Sequence, residues 1–198
     1  TIDLDELLQI LTRAMLENSG ADRCALLLCE DNQWQVRVIV DREQVTLISA
    51  PLDDNLSVPG KLIRYVKNTA TTVVFDNLKT DLPVIGDYLS QHQPKSVLCL
   101  PIFNQGSLNA ILYLENRSTS GVFTHDRIAV LNFLCTQASI SLENARLYQQ
   151  SQEYAQELER SQLQMVQSEK MASLGNLVAG IAHEAVSYTH LRAHETVL

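Results

Sequence analysis

Apolar and polar residues follow two different periods along the chain, and the period changes from one segment to the next. Over residues 3 to 18 the apolar residues recur every three or four positions, which predicts an amphipathic helix. Residues 24 to 29 are continuously apolar, as in a buried strand, whereas residues 34 to 40 largely alternate. Because Asp31 and Asn32 between these runs are turn-forming residues, we expect the two strands to form a hairpin.

The middle of the chain adds shorter elements. Residues 45 to 49 and residues 71 to 75 predict two strands, the second because it is short and rich in β-branched residues. Residues 60 to 68 predict a helix, since their apolar residues fall on one helical face. A long polar loop is expected over residues 76 to 94, with a helical turn around residues 87 to 91.

Two strong strands and a long helix complete the pattern. Residues 96 to 103 and 108 to 114 predict a second hairpin, joined by a short loop that contains Gly106. After Thr124, which we expect to cap a helix, helical spacing resumes, and neither Pro nor Gly occurs before Gly175. This order, with hairpin connections dominating, predicts an α+β fold in which helices flank a central antiparallel sheet of about six strands.

Composition and charge exclude several classes of protein. The 198 residues, 45% of them hydrophobic, suffice for one domain of ordinary size and an appendage. A formal net charge of -8 argues against a nucleic-acid surface, which needs clustered Lys and Arg. We predict no membrane segment, because no apolar run approaches the roughly 20 residues of a membrane-spanning helix. We therefore expect a cytoplasmic protein, and we interpret a chain that begins at Thr1 as part of a longer one.

The four cysteines favour a reducing compartment. They lie inside apolar runs, without the paired spacing of a zinc site or the density of a disulfide-rich secreted domain. Packing in the core is the expected role of all four, which are Cys24, Cys29, Cys99 and Cys135. No metal site is predicted from them.

Four segments resemble the GAF domain, a small-molecule and redox sensing module of many bacterial signalling proteins. They are Lys95-Ser-Val-Leu-Cys-Leu-Pro-Ile102, Gly106 with Leu112-Tyr-Leu-Glu-Asn116, Phe123-Thr-His-Asp126 and Gln137-Ala-Ser-Ile-Ser-Leu-Glu-Asn-Ala145. The resemblance covers residues 1 to 148 and implies a GAF-like sandwich.

The resemblance does not identify a GAF ligand, which stays unknown. Cyclic-nucleotide-binding members carry an Asn-Lys-Phe-Asp-Glu signature, of which only Phe123 and Asp126 are recognisable here. Bilin-binding members attach the pigment through a Cys commonly followed by His, whereas Cys99 is followed by Leu. Haem ligation by His92 or His125 has no supporting pattern, so no cofactor is predicted in this chain.

Beyond the GAF-like region the chain becomes rich in Gln, Glu and Ser. The fewer apolar residues that remain recur at heptad spacing and form a narrow seam along one side of the predicted helix. Leu147 and Tyr154 share one heptad position, and Leu158 and Met165 share the other, but serines interrupt both. A seam this weak predicts a parallel dimer over residues 149 to 170 that is stabilised from both ends and whose register shifts easily.

Residues 171 to 184, Met-Ala-Ser-Leu-Gly-Asn-Leu-Val-Ala-Gly-Ile-Ala-His-Glu, resemble the H-box of sensor histidine kinases. The resemblance implies that His183 is the phosphoacceptor, that Glu184 assists as a base, and that this helix starts a dimeric four-helix bundle. His183 lies about 200° around the helix from Ile181, whose face is apolar, and is therefore expected to face solvent.

Together the two resemblances imply a sensory and phosphoacceptor fragment of a two-component histidine kinase. A GAF domain would signal through a homodimeric helix to autophosphorylation at His183 and to phosphotransfer to the receiver domain of a response regulator. ATP and Mg²⁺ would be bound by the catalytic domain of the intact parent, whose motifs this chain lacks, so the chain alone is not expected to phosphorylate itself. The alternatives are a GAF module that binds a small molecule and a purely structural dimeriser, both without kinase activity.

Residues 185 to 198 depart from the H-box pattern. We interpret them as a non-family tail, translated adaptor or vector sequence that is disordered, and exclude them from the fold. His190, His194 and Glu195 have helical spacing that suits zinc, but no further ligand accompanies them.

Overall fold

The computed structural model describes the backbone of residues 4–42, 44–54, 56–77 and 83–195. It also describes the side chains of these residues, except those of residues 54 and 186–195. By their internal contacts the residues divide into two units, Thr1–Leu147 and Tyr148–Leu198. The first contains the described sheet, and the described part of the second is helical.

The elements follow the order expected from the hydrophobic pattern, and the α+β fold is confirmed. They are α1 Leu4–Ser19, β1 Arg23–Glu30, β2 Gln33–Asp41, β3 Gln44–Pro51, a short 3-10 helix Leu52–Asp54, α2 Gly60–Thr69, β4 Val73–Asp76, α3 Asp87–His92, β5 Ser96–Asn104, β6 Ser107–Asn116 and α4 His125–Glu195. The strand that was expected from residue 71 begins two residues later, at Val73. Ala70 caps the end of α2 in the left-handed conformation, and the chain turns towards the sheet over the next two residues.

The described sheet has six strands in the order β3-β2-β1-β6-β5-β4, and every neighbouring pair is antiparallel. Two-residue turns close its tight hairpins: Asp31 and Asn32 have φ of 48° and 64°, and Gln105 and Gly106 have φ of 50° and 82°. Positive φ at both central residues is the turn geometry that matches the right-handed twist of paired strands. The outcome is a sheet with β1 and β6 in its centre.

Each face of the sheet carries its own hydrophobic core. On one face α1 and the first part of α4 pack over Leu26, Leu100 and Leu112. On the other face α2 and α3 pack over Leu27 and Ile111. Because successive side chains of a strand point to opposite faces, the continuous apolar runs of the central strands supply both cores at once.

Helix α4 begins at His125, where the amide of Ile128 donates the first helical hydrogen bond to the Thr124 carbonyl at 2.9 Å. Its first turns are held by buried side chains such as Leu131. The backbone stays helical into the tail, as far as Glu195, in a stretch with neither Pro nor Gly to end a helix. The non-family origin of the tail stays a prediction, and residues 196 to 198 lie outside the described part.

Candidate functional sites

The segment that resembles an H-box lies entirely within α4. Leu174, Val178 and Ile181 are spaced by four and three residues, so they share one face of the helix. All three are exposed, Ile181 to 64%. A row of exposed apolar side chains on a helix is the surface that a packed second helix would cover.

His183 and Glu184 follow this apolar row on the same helix, and both side chains are exposed. Glu184 is the next residue along the helix, and its side chain points about 100° around the axis from that of His183. The described structure thus leaves His183 accessible to a reaction partner. The predicted His190, His194 and Glu195 zinc set falls among side chains that are not described, and the described residues contain no group of three His, Cys, Asp or Glu suited to a metal ion.

The two histidines considered for haem both lie at helix ends, in ordinary surroundings. His92 ends α3, where its Nδ1 is 2.8 Å from the Tyr88 carbonyl oxygen and its ring stacks on that of Tyr88, with centroids 4.1 Å apart. His125 is exposed at the start of α4. Phe123 from the partial signature is buried in the core, whereas Asp126 is exposed.

Three of the four cysteines are buried, as expected for core residues, and all four are free thiols. Burial raises the pKa of Cys135 to about 12, and burial also raises the pKa of Cys24 and Cys99. These three thiols are therefore protonated and unreactive at neutral pH. Cys29 is only half-buried.

Sequence reasoning missed a buried polar network centred on Glu115. The Glu115 side chain is 0% exposed and accepts hydrogen bonds from the Tyr113 hydroxyl at 2.6 Å, the Tyr88 hydroxyl at 3.1 Å and Arg117 Nε at 2.9 Å. The nearest further cation is Arg23, whose Nε is 3.9 Å from Glu115 Oε1. Three hydrogen-bond donors and two neighbouring cations thus surround the buried Glu115 side chain, which is how a buried polar group is satisfied.

The network has a clear electrostatic effect on its tyrosines. Burial, followed by the charge of Glu115, raises the pKa of Tyr88 to about 12 and raises that of Tyr113 as well. Burial alone would lower the pKa of Arg117, but its hydrogen bond and charge interaction with Glu115 raise it overall. The hydrogen bond from Tyr88 to Glu115 ties α3 to β6, which suits a structural role for the network.

One signal in the sequence could have revealed this network. Tyr113 and Glu115 are two residues apart in a strand, so the carboxylate shares the core-facing side with the tyrosine. A charged residue at a core-facing position of a strand requires a partner.

A cleft of about 140 Å³ opens within the GAF-like unit, beside α1 and α4. Its floor is apolar and includes Met15, Leu26 and Ile102. Its mouth is polar, with Asn104, Asn109, Glu143 and Arg146. The α2 and α3 face of the sheet carries a separate core.

A profile of the GAF domain matches residues 3–142. The chain belongs to the GAF domain family. It is 42% identical over 88 residues to hybrid signal transduction histidine kinase G of Dictyostelium discoideum, a match that covers 44% of this chain and 3% of that protein. It is 26% identical over 157 residues to peroxide stress-activated histidine kinase mak3 of Schizosaccharomyces pombe, covering 77% of this chain and 7% of that protein.

The GAF fold is also found by comparison with solved structures. The GAF domain of a two-component sensor histidine kinase from Bacillus halodurans superposes with a TM-score of 0.57 at 19% identity, covering 75% of this chain and 99% of that one. This chain spans only 3% and 7% of the two curated kinases above, so it corresponds to a small part of each. Among the described residues, no helix combines the length and apolar character needed to cross a membrane.

Proposed function

We propose that this chain is the sensory and phosphoacceptor region of a two-component histidine kinase. In this proposal the GAF domain signals through α4 to autophosphorylation at His183, from which the phosphoryl group passes to the receiver domain of a response regulator. The observation that carries it is one helix, α4, that is packed in the GAF core through Leu131 and that exposes His183 in an H-box-like segment. The similarity to two histidine kinases supports the same assignment.

The reaction requires an accessible, neutral imidazole. A lone pair on one ring nitrogen of His183 attacks the γ-phosphorus of ATP, a nitrogen–phosphorus bond forms, and the bond to the bridging oxygen breaks as ADP leaves. The proton on the other ring nitrogen moves to the adjacent carboxylate of Glu184, which makes the attacking nitrogen more nucleophilic. Histidine suits this role because its imidazole is largely neutral at cytosolic pH.

The residues beside His183 are small. Ala179, Gly180 and Ala182 precede it, and a Cβ added at Gly180 would meet no atom within 4 Å. Glycine in a helix interior costs about 1 kcal/mol relative to alanine, so helix stability does not explain its presence. Small side chains would let a catalytic domain, with its ATP and Mg²⁺, or a receiver domain approach the imidazole closely.

Exposed apolar residues of α4 support a homodimer. In the GAF unit, Val130, Phe133, Ile140 and Leu147 are exposed, and in the following unit Tyr154, Leu158 and Met165 are exposed. Counted along the sequence, all seven occupy the same two positions of one heptad register, although polar residues such as Gln137 and Ser151 take some of these positions. A repeat of this period is the pattern by which two copies of a helix pack in parallel, so the proposed dimer seam starts within the GAF domain.

The test is autophosphorylation of a longer protein, in which residues 1 to 184 are followed by the rest of a dimerisation domain and by the ATP-binding catalytic domain of a histidine kinase. The protein is incubated with γ-labelled ATP, and the label is tested for stability in acid and alkali. His183→Ala removes the proposed phosphoacceptor, and His125→Ala is its control, since His125 is exposed on the same helix. Glu184→Gln is expected to slow labelling by about 10²-fold or more, as befits loss of a general base.

The proposal requires a label that is acid-labile and alkali-stable, absent from His183→Ala and retained by His125→Ala. Retention of the label or of transfer to a receiver domain by His183→Ala would exclude His183 as the phosphoacceptor. A folded, ATP-binding protein that takes up no label would instead favour a GAF module that binds a small molecule or dimerises without kinase activity.

A further inference from the structure

We propose that the cleft beside α1 and α4 binds a small, neutral, largely apolar molecule with one hydrogen-bonding group, of the size of phenol or indole. The cleft lies within the unit Thr1–Leu147, so this inference does not depend on phosphotransfer at His183. It concerns the face of the sheet that packs against α1 and α4.

Two alanines create the space. Ala110 on β6 is 4% exposed and Ala138 on α4 is 2% exposed, and both line the cleft from opposite sides. A leucine at either position would extend into the volume that is now open. The resulting cleft of about 140 Å³ is close to the roughly 150 Å³ of apolar cavities that take up benzene.

The mouth of the cleft selects for a neutral ligand with a hydrogen-bonding group. Glu30 is already paired with Arg37, which also contacts Asp5 at 3.0 Å. Glu143 and Arg146 lie three residues apart on α4, and their opposite charges offset each other. Neither sign of charge therefore dominates the mouth, and an ion would lose its hydration without a matched partner.

Two amides remain for hydrogen bonding. Asn104 and Asn109 come from the β5–β6 hairpin, line the cleft and are half-buried. A side-chain amide offers both a donor and an acceptor, so either a hydroxyl or a ring N–H satisfies it. In contrast, the Ser139 hydroxyl already donates to the Phe103 carbonyl at 3.3 Å. The apolar floor thus sets the size of the ligand, and the two amides set the position of its polar group.

Binding would also stabilise the packing of α4. Ala138, Leu142 and Arg146 are all on the part of α4 that belongs to the GAF unit. A ligand that contacts both the sheet and this helix favours the conformation in which they are packed. The expected consequence is a rise in thermal stability with probe concentration.

The test is titration of the full chain with phenol, toluene, indole and sodium benzoate, followed by NMR of Ile and Leu methyl groups. We expect saturable shifts of the Ile102 and Leu142 methyls, which line the cleft, while Ile63 in the opposite core does not shift. Phenol should bind several-fold more tightly than toluene, which has the same size without the hydroxyl. Benzoate should bind at least about tenfold more weakly than phenol, because Glu143 offsets the attraction of Arg146 for its carboxylate and the lost hydration is not compensated.

Variants locate the site. Ala138→Leu and Ala110→Leu fill the cleft from the helix and from the sheet, and each should weaken phenol binding by at least about tenfold. Ala155→Leu, the same change at an exposed position of α4, should leave binding unchanged. The titration of the unmodified chain decides the matter even if a filled variant does not fold.

Three results would overturn the inference. Absence of methyl shifts up to the solubility limit of all the probes would make the cleft a packing gap only. Equal shifts at Ile63 and Ile102 would show non-specific uptake, and benzoate binding as tight as that of phenol would refute the neutral class of ligand. None of these results would bear on whether His183 is phosphorylated, because phosphorylation is measured in a separate experiment.

Discussion

The hydroxyl of Tyr113 offers the sharpest test of the buried network. Tyr113→Phe removes only this hydroxyl, whose hydrogen bond to Glu115 is 2.6 Å long. The ring stays in place, including its edge-to-face contact with Tyr88 at a centroid distance of 6.3 Å. The substitution therefore isolates one hydrogen bond to a buried carboxylate.

The expected loss follows from the surroundings of Glu115. A hydrogen bond to a charged group contributes about 1.5–3 kcal/mol to stability. Glu115 keeps its bonds from Tyr88 and Arg117, so it is not left without donors, and we expect the lower half of that range, about 2 kcal/mol. Glu115→Gln should cost more, about 3 kcal/mol, because Arg117 and the mostly buried Arg23 lose the fully buried carboxylate and are left with the more exposed Asp41 as their shared counter-charge.

The measurement is urea unfolding followed by the fluorescence of Trp34, the single tryptophan of the chain, which lies in β2 of the GAF unit. The slope of the transition should stay constant, so that the midpoint reports stability. Tyr65→Phe is the control, since Tyr65 is partly exposed on α2 and should change stability by less than about 0.5 kcal/mol. A loss for Tyr113→Phe no larger than that of the control would refute the reasoning.

Three further outcomes are expected. Because the pKa of Tyr88 is raised to about 12 from an ordinary value near 10, its contribution to stability is complete below pH 10 and is lost as the pH rises from about 10 to 12. Tyr88→Phe should thus flatten the alkaline fall of the urea midpoint, and an unchanged fall would contradict this. Cys29 should react with a thiol reagent in the folded chain while the three buried cysteines react only on unfolding, so more than one equivalent of rapid reaction would disagree. Phe133→Glu should dissociate the proposed dimer in sedimentation equilibrium while Asn132→Glu leaves it intact; a dimer that survives Phe133→Glu would place the seam elsewhere.

Much of the fold could be predicted from the sequence, because the elements are set by local periodicity. The hairpin turn at Asp31 and Asn32 and the buried strand at residues 24 to 29 both follow from the residues of the segment itself. The same holds for His183, whose expected role rests on the neighbouring residues of one helix and stays a prediction. The structure adds to it only that the side chain is exposed.

Tertiary structure alone decided which distant segments meet. The hydroxyl of Tyr88 on α3 reaches Glu115 on β6, 27 residues later, because the sheet order places these elements together. Ala110 and Ala138 look like ordinary small residues in sequence, yet both line one cleft. Spacing within a segment predicts its own conformation, whereas a network or a cleft depends on non-local packing that joins several segments, and only the folded chain specifies it.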